Sequence, residues 1–423
     1  MHVSSEQSIV DLAARALKEL ELGRGKTRGN ITADSTQAPL VALSRKIIEE
    51  AAGMEASDIH IEPDGRVIRV RYRIDGQLRE KHQSLPGGIG ASLISCLKVM
   101  AKLNTIERRL PQDGRMQYLF RGRMLDIRIS VIPLLKEEKA VLRILNHGGK
   151  QQKLADLDFS PVNRQRIEKI CSASHGLILC CGPVNSGKTT TLYAMLQKLN
   201  APERNLITIE DPVEYRIPGI NQMQVNNKIG LTFARGVRAI LRQDPDVVMV
   251  GEIRDEETAA IAVRAALTGH LLLTTLHTAA AAQAVFRLLD MKIPAYLLSS
   301  VLLGIIAQRL VPRLCPHCRR QYVVAADSAE GKYLGKFYAA GNVFWQKQGC
   351  PHCQGTGYKG RIAIQEVLLW DSNLRQLILD ECTNEEIVQA ELETGMISLK
   401  MDGIAKARQG EITLADLRRF VYE

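Results

Sequence analysis

The segment from Gly182 to Thr189 reads GPVNSGKT, and its residue types and spacing suit the binding of phosphate groups. It fits the pattern G-x-x-x-x-G-K-[ST], in which backbone N–H groups and the start of the following helix surround phosphate oxygens. The lysine of such a loop contacts the terminal phosphates, and its hydroxyl residue binds Mg²⁺. The pattern therefore predicts a nucleotide-binding phosphate loop, made of Gly182, Pro183, Val184, Asn185, Ser186, Gly187, Lys188 and Thr189, followed by Thr190.

Two apolar runs end in a carboxylate, and a third is bracketed by histidines. Glu210 ends the run ITIE, and Glu252 ends VVMVGE. Ligands bind beyond the carboxyl ends of strands in open α/β sheets, so both carboxylates suit Mg²⁺ coordination and water activation. His270 and His277 lie on either side of LLLTTL, where a structural and a catalytic role are equally compatible with the pattern.

The sequence contains two Cys-Pro-His-Cys motifs, at Cys315–Cys318 and Cys350–Cys353. Paired Cys-x-x-Cys motifs in a reducing compartment are typical of a tetrahedral structural Zn²⁺ site, with unmetallated thiols as the alternative. Because four thiolates fill all the positions, the predicted site leaves none open for catalysis.

Several arginines lack an obvious acidic partner in the sequence. Arg235, Arg238 and Arg242 fall on one face of a predicted helix, whereas Arg128 and Arg143 belong to different predicted strands. Such groups are candidates for contact with a neighbouring ATP, and surface charge or local ion pairing is the alternative for each.

The elements that must position these residues fall into two classes. Residues 38–147 contain helical patterns and alternating strand patterns, which predict a small α+β domain. Beyond residue 156 the strands are solidly apolar, as in a parallel sheet that is buried on both faces. They alternate with predicted helices, so this region is expected to be a doubly wound α/β domain. These runs are GLILCCG, NLITIE, DVVMVGE and HLLLTTLH, with helices at Thr189–Leu199, Phe233–Arg242, Glu256–Leu267 and Ala279–Leu289.

Length and composition exclude several classes of protein. The chain has 423 residues, 45% hydrophobic and 24% charged, which excludes disordered, collagen-like and disulfide-stapled chains. It lacks a secretory signal and an apolar stretch of spanning length, so a cytoplasmic protein is expected. The net charge is +10, and residues 98–150 contain 12 basic against 5 acidic residues. With 4% aromatic residues and no long basic run, direct nucleic-acid binding has little support.

From about Ala38 to the C-terminus, the chain resembles the type II secretion and type IV pilus assembly ATPases. The resemblance rests on SDIHIEP, RYRIDG, RLPQDGR, the phosphate loop, ITIEDPVEY, LRQDPDVVMVGEIRD, TGHLLLTTLHT, IAQRLVPRLCPHC and GYKGRIAIQEVL. It implies an α/β fold with a RecA-like P-loop ATPase core, a smaller N-terminal α+β domain, a zinc-binding tetracysteine insertion and a helical C-terminal tail. In this family six chains form a ring, and ATP binds between the two domains.

The resemblance also implies domain limits. They are a helix and linker at 1–37, an N2-type, PAS-like domain at 38–147, a linker at 148–156, the core at 157–312, the tetracysteine zinc subdomain at 313–358 and a helical subdomain at 359–423.

Roles for individual residues follow from the same resemblance. Lys188 and Thr189 would hold phosphate and Mg²⁺, Glu210 would polarise the attacking water, and Glu252 would lie on the metal side. His270 and His277 would sense the γ-phosphate. The arginines expected to approach the nucleotide are Arg128, Arg143, Arg235, Arg238 and Arg242. The implied cofactors are ATP, Mg²⁺ and Zn²⁺.

The sequence therefore predicts a homo-hexameric motor that hydrolyses ATP to assemble pilins or pseudopilins for type II secretion or a type IV pilus. Its expected partners are inner-membrane platform proteins and the cytoplasmic domains of such a machine, at the cytoplasmic face of the inner membrane. A DNA-uptake or conjugation ATPase and a non-hydrolysing ring scaffold are the alternatives. Three departures from the family pattern stand out: Val184-Asn185 replaces Thr-Gly, Ala279 replaces Asn, and only a short segment precedes the small domain.

Overall fold

A computed structural model describes residues 8–24, 38–145 and 152–421. The chain divides into two compact units, Met1–Gly149 and Lys150–Glu423. Most of the predicted linker before residue 38, and the first part of the predicted linker at 148–156, lie outside the described residues. Among the helices of the described ranges, none combines the length and the apolar character needed to cross a membrane.

The first unit is an antiparallel sheet covered on one face by helices. Strand residues at alternating positions are buried, for example Leu125, Ile127, Ile129 and Val131, and the helices pack on that face. The strands are ordered β3-β2-β1-β7-β6-β5, and β4 also pairs with β2. This confirms the predicted α+β class. The elements are α1 (Ile9–Arg24), α2 (Ala38–Gly53), β1 (Asp58–Asp64), β2 (Val67–Ile74), β3 (Gln77–Glu80), β4 (Leu85–Pro86), α3 (Gly90–Met100), β5 (Gln112–Phe120), β6 (Arg123–Pro133) and β7 (Glu138–Leu145).

The second unit contains a mostly parallel sheet between helices. Its elements are α4 (Pro161–Cys171), β8 (Gly176–Cys181), α5 (Lys188–Leu199), β9 (Leu206–Glu210), β10 (Asn221–Gln224), α6 (Phe233–Ile240), β11 (Val247–Val250), α7 (Glu256–Leu267), β12 (Leu271–Leu276), α8 (Ala281–Asp290), α9 (Ala295–Val301), β13 (Leu302–Leu314), β14 (Arg320–Val323), α10 (Ala329–Leu334), β15 (Val343–Gln346), β16 (Tyr358–Leu369), α11 (Ser372–Leu379), α12 (Asn384–Glu393), α13 (Leu399–Arg408) and α14 (Leu414–Phe420).

The sheet order in this unit is β10-β9-β11-β12-β8-β13-β16, and all neighbours are parallel except β13 and β16. Every residue of β8, β9, β11 and β12 is buried. Burial on both faces explains why these strands appear as unbroken apolar runs, and it confirms the predicted α/β class. Because the strands are parallel, they end at one edge of the sheet, which we call the carboxyl edge.

Residues 359–369 differ from the prediction. The helical subdomain expected from residue 359 is wrong for this stretch, because β16 is a long strand that pairs antiparallel with β13. A short apolar run does not distinguish a buried strand from a buried helix by periodicity. Consequently both cysteine motifs lie next to main-sheet strands, the first directly after β13 and the second just before β16.

A buried ion pair joins the first helix of the second unit to a helix near its end. Arg166, on α4, donates to Glu391 of α12 at 2.7 Å and to the main-chain oxygen of Val367 in β16 at 3.0 Å. Both side chains are almost completely buried. Such a pair adds little net energy compared with apolar side chains, but losing one partner leaves an uncompensated charge in the core.

We therefore predict that Arg166→Leu lowers the unfolding free energy of the second unit by about 3–5 kcal/mol, measured by urea denaturation. Removing both partners, in Arg166→Leu/Glu391→Leu, should restore part of the loss. The matched control is Lys198→Ala, because Lys198 pairs with Glu168 of the same helix at an exposed site. The control should change stability by no more than about 0.5 kcal/mol. If Arg166→Leu and Lys198→Ala lowered the unfolding free energy equally, the buried ion pair would not have the structural role assigned to it.

Candidate active site and metal centre

The phosphate loop connects β8 to α5 through backbone conformations that favour glycine or asparagine. Gly182 and Gly187 have φ angles of 148° and 89°, and Gly187 caps the N-terminus of α5. A Cβ at Gly182 would lie 2.5 Å from the main-chain oxygen of Gln308, so no side chain fits there. Asn185 has a φ of 64°, a left-handed conformation that asparagine tolerates better than most residues. The loop therefore adopts the required shape although Asn185 replaces the usual glycine.

Lys188 lies inside this loop. Its Nζ donates to the main-chain oxygens of Gly182 and Pro183, at 2.8 and 3.0 Å. Burial lowers the pKa of Lys188, and the nearby carboxylate of Glu252 acts in the opposite direction. Thr189 and Thr190 are exposed in the first turn of α5. The ammonium group and these hydroxyl groups thus lie at the N-terminus of a helix, where an anion is favoured.

Glu252 and His277 meet at the carboxyl edge. Glu252 follows β11 and His277 follows β12, which are neighbouring strands, and His277 Nε2 is 3.2 Å from a Glu252 carboxylate oxygen. Arg254 also donates to Glu252 and lies 3.8 Å from Asp211. Burial alone would raise the pKa of Glu252, but the hydrogen bond from Arg254 and the contact with His277 hold it below its ordinary value. Glu252 is therefore an ionised group beside the phosphate loop.

Glu210 has a different environment at the end of β9. It is 2% exposed, and it accepts hydrogen bonds from Tyr193, from Thr208 at 2.5 Å and from Gln222 at 3.2 Å. Burial raises its pKa, although these three donors oppose the shift. The carboxylate is thus enclosed by side chains, whereas that of Glu252 pairs with Arg254 and His277.

His270 lies far from the phosphate loop of its own chain. The predicted contact between His270 and the γ-phosphate is therefore wrong for a nucleotide bound at that loop. It precedes β12, whose first residue is level with Gly176 at the start of β8. The six residues of β8 separate this level from the phosphate loop by roughly 20 Å. The ring instead approaches the main-chain oxygen of Ala265 at 3.0 Å.

The predicted helix with three arginines is also distant from the phosphate loop, and it ends at Ile240, so that Arg242 lies in the turn after α6. It packs on β9, which β11 and β12 separate from β8. Arg238 forms an ion pair with Glu257 at 2.7 Å, while Arg235 and Arg242 donate to main-chain oxygens close by. Within the described part of this chain, these contacts agree with local pairing, the alternative to nucleotide contact.

Arg128 and Arg143, in the first unit, are directly opposite each other on β6 and β7. The same row continues to Asp58 on β1 and Arg73 on β2. Arg143 donates a hydrogen bond to Asp58 at 2.8 Å. Burial alone would raise the pKa of Asp58, but the bonds from Arg143 and from the Ser57 hydroxyl lower it. The two arginines thus belong to a charged row on the sheet face opposite the apolar core.

The four cysteines of the two motifs form a compact group. Their sulfur atoms all lie within 4.8 Å of one another, and three pairs are 3.7–3.9 Å apart. A tetrahedral Zn²⁺ with bonds of about 2.3 Å requires sulfur–sulfur distances of about 3.8 Å. Main-chain N–H groups of Cys350 and Gly357 donate to the sulfur of Cys353. Burial alone would raise the pKa of Cys353, but these hydrogen bonds help to lower it to about 6. The donor set therefore fits zinc.

The sequence-based prediction missed four residues of the site. Tyr193 and Gln222 enclose Glu210, Arg254 pairs with Glu252, and Gln308 contacts the phosphate loop from β13. The position of Arg254, two residues after Glu252, was a local signal that could have found it. The other three become visible only when strands and helices that are distant in sequence pack together.

Comparison with known proteins relates this chain to secretion and pilus-assembly proteins. Residues 33–419 match a protein family described as type II/IV secretion system protein. Type II secretion system protein E of Klebsiella pneumoniae is 48% identical over 373 residues, which cover 88% of this chain and 74% of that protein. The type IV pilus assembly ATPase PilB of Thermus thermophilus is 45% identical over 88% of this chain and 42% of its own length.

A solved structure is also similar. The crystal structure of the pilus retraction motor PilT with bound ADP has a TM-score of 0.62 and 27% sequence identity, and the match covers 89% of this chain and 96% of PilT. That protein binds a nucleotide on a fold like the one described here.

The opposite pKa shifts of the two glutamates predict opposite effects of pH on stability. The pKa of Glu210 is raised above 4.5, so its stabilising contribution is present below pH 4.5 and is lost as the pH rises through the raised value. The pKa of Glu252 is lowered, so its contribution is present above pH 4.5 and is lost as the pH falls through the lowered value.

We expect the unfolding free energy of the wild type minus that of Glu210→Gln to decrease from about pH 4 to about pH 8. The corresponding difference for Glu252→Gln should instead decrease as the pH falls below about 4.5, which makes it the matched control. Urea denaturation at a series of pH values measures both. Differences that change with pH in the same direction would show that the two environments are not distinct.

Proposed function

This chain belongs to the type II/IV secretion system protein family, and from that premise we propose that it hydrolyses ATP to drive a secretion or pilus-assembly machine. The phosphate loop with Lys188 lies at the same edge of the sheet as Glu252 and His277, and this arrangement supports the proposal most directly. The chain is 48% identical to a type II secretion protein and 45% identical to a pilus assembly ATPase, so the comparison is compatible with either kind of machine.

The residues at the carboxyl edge have complementary roles in this proposal. Lys188 and the backbone N–H groups of the loop hold the phosphates, and the Thr189 hydroxyl binds Mg²⁺. When bound, Mg²⁺ neutralises the charge that develops on the phosphate oxygens. Glu252 would lie on the metal side, and His277 would lie next to the terminal phosphate. Glu210 is proposed to orient the attacking water once its enclosing donors, Tyr193 and Gln222, give it access.

The assembly and its partners are proposed from the family. Six chains form a ring at the cytoplasmic face of the inner membrane, held there by platform proteins and the cytoplasmic domains of the machine. From the family resemblance alone, Arg128 and Arg143 are proposed as catalytic residues that approach the phosphates of a bound nucleotide. The hydrogen bond from Arg143 to Asp58 supports a fixed orientation for the Arg143 side chain. Arg235, Arg238, Arg242 and His270 are proposed to serve the nucleotide site of a neighbouring chain.

The four cysteines are proposed to hold a structural Zn²⁺. Their sulfur–sulfur distances support tetrahedral coordination, and four thiolates leave no open position for a substrate. The metal would join the end of β13 to the start of β16 and so close the segment between them.

Replacing Lys188 tests the enzymatic proposal. Lys188→Ala should lower Mg²⁺-dependent ATP hydrolysis at least about hundredfold, because it removes the one ammonium group inside the loop. Lys198→Ala is the matched control, since Lys198 lies in the last turn of the same helix and is partly exposed. Steady-state phosphate release, measured over a range of protein concentrations, gives both rates. A Lys188→Ala variant with unchanged turnover would refute the proposal.

The same assay tests the ring. If each site needs a neighbouring chain, the rate per chain of the wild type should rise steeply with protein concentration. A rate per chain that is constant down to concentrations at which only monomers are present would refute this part of the proposal.

Removing the metal should destabilise the second unit. Treatment with a chelator, or the substitution Cys353→Ser, is expected to lower its unfolding temperature by at least about 5 °C, because metal binding contributes directly to folding. Cys382→Ser is the control, since Cys382 lies outside the cysteine group. Calorimetry combined with metal analysis measures both quantities. An unfolding temperature that does not change when the bound metal is removed would contradict the structural role.

A further inference from the structure

Gln308 joins a strand of the sheet to two parts of the phosphate-loop region. Its Nε2 donates to the main-chain oxygen of Ser186 at 2.6 Å, and its Oε1 accepts a hydrogen bond from the Thr191 hydroxyl at 2.8 Å. Gln308 is 1% exposed, and Thr191 lies on the first turns of α5. The side-chain amide therefore uses both its donor and its acceptor, one on the loop and one on the helix.

The bond to Ser186 fixes the direction of a peptide group. In a trans peptide the carbonyl oxygen and the following N–H point in opposite directions. Because Gln308 holds the oxygen of Ser186 on the β13 side, the N–H of Gly187 is directed away from β13. Backbone N–H groups of such a loop are the donors that hold phosphate oxygens.

Close packing makes this arrangement specific. A Cβ at Gly187 would lie 2.9 Å from the Gln308 amide nitrogen, and one at Gly182 would lie 2.5 Å from the Gln308 main-chain oxygen. The two glycines of the loop are thus in close contact with one residue of β13. That strand pairs with β8, which leads into the loop, so the contact has a rigid base on the neighbouring strand.

We propose that Gln308 is a positioning residue for nucleotide binding, which directs the Gly187 N–H toward bound phosphate by holding the Ser186 carbonyl. This inference rests on the proposed function, because it concerns the same phosphate loop. Gln308 itself does not touch the nucleotide. Glutamine suits the position because its amide supplies a donor for Ser186 and an acceptor for Thr191, whereas an apolar side chain supplies neither.

The test is the affinity for Mg²⁺-ADP, measured by calorimetric titration of the full chain. Gln308→Met, which nearly keeps the side-chain volume, should bind ADP about tenfold more weakly than the wild type, the loss expected for about one net hydrogen bond. Thr191→Val removes only the hydroxyl that holds Gln308 Oε1, so a smaller loss of about threefold is expected.

The matched control is Gln365→Met. Gln365 is directly opposite Gln308 on β16 and is equally buried, but its side-chain oxygen accepts from Lys406. This variant should unfold at a lower temperature and bind ADP within about twofold of the wild type. Comparing unfolding temperatures without nucleotide separates a general loss of stability from an effect on the loop.

The outcomes distinguish this inference from the proposed function. Normal ADP affinity in Gln308→Met, with weakened binding by Lys188→Ala, would overturn the positioning role and leave nucleotide binding intact. Equal losses in Gln308→Met and Gln365→Met would also overturn it. If Gln308→Met does not fold, unchanged affinity in Thr191→Val overturns the role. A wild-type chain that does not bind ADP would refute the proposed function and the inference with it.

Discussion

Parallel strand pairing in the second unit determines where its chemistry can occur. All residues of β8, β9, β11 and β12 are buried, so polar groups are tolerated mainly where the strands end. Since parallel strands end at the same edge, the phosphate loop, Glu252 and His277 lie close together although they are far apart in sequence. The same constraint gives the loop a fixed base, because both of its ends continue into buried elements.

The antiparallel pair of β13 and β16 adds a second constraint on the other side of β8. It carries Gln308 against the loop and ends beside the cysteine motifs, so one long strand contacts the phosphate loop and leads to the cysteine group. A metal that joins the ends of β13 and β16 would close the segment between them. Closing a loop of this length removes conformational freedom mainly from the unfolded chain, which is how such a site stabilises a region with little core.

Sequence patterns predicted the buried strands, the phosphate loop, the edge position of Glu252 and His277, and the cysteine group, because each is marked by a short local motif or apolar run. The position of His270 was wrong because both ends of the strand were treated as equivalent, whereas only residues that follow a parallel strand reach the carboxyl edge. The strand at 359–369 was not recognised because its apolar run is also compatible with a helix. Gln308 and Tyr193 could not be found, since their contacts form only when β13 and α5 pack beside the loop and β9.

Glu210 and Glu252 occupy similar positions in the sequence but have different environments in the structure. Glu210 and Glu252 both end an apolar run, but packing encloses Glu210 behind Tyr193 and leaves Glu252 in contact with Arg254 and His277. Burial raises the pKa of the first, while Arg254 and His277 help to lower that of the second against burial. An ionised carboxylate suits a position near a metal, whereas burial makes the Glu210 carboxyl group easier to protonate than an exposed one. Thus the packing around each carboxylate, and not its position in the strand, gives Glu210 and Glu252 different environments.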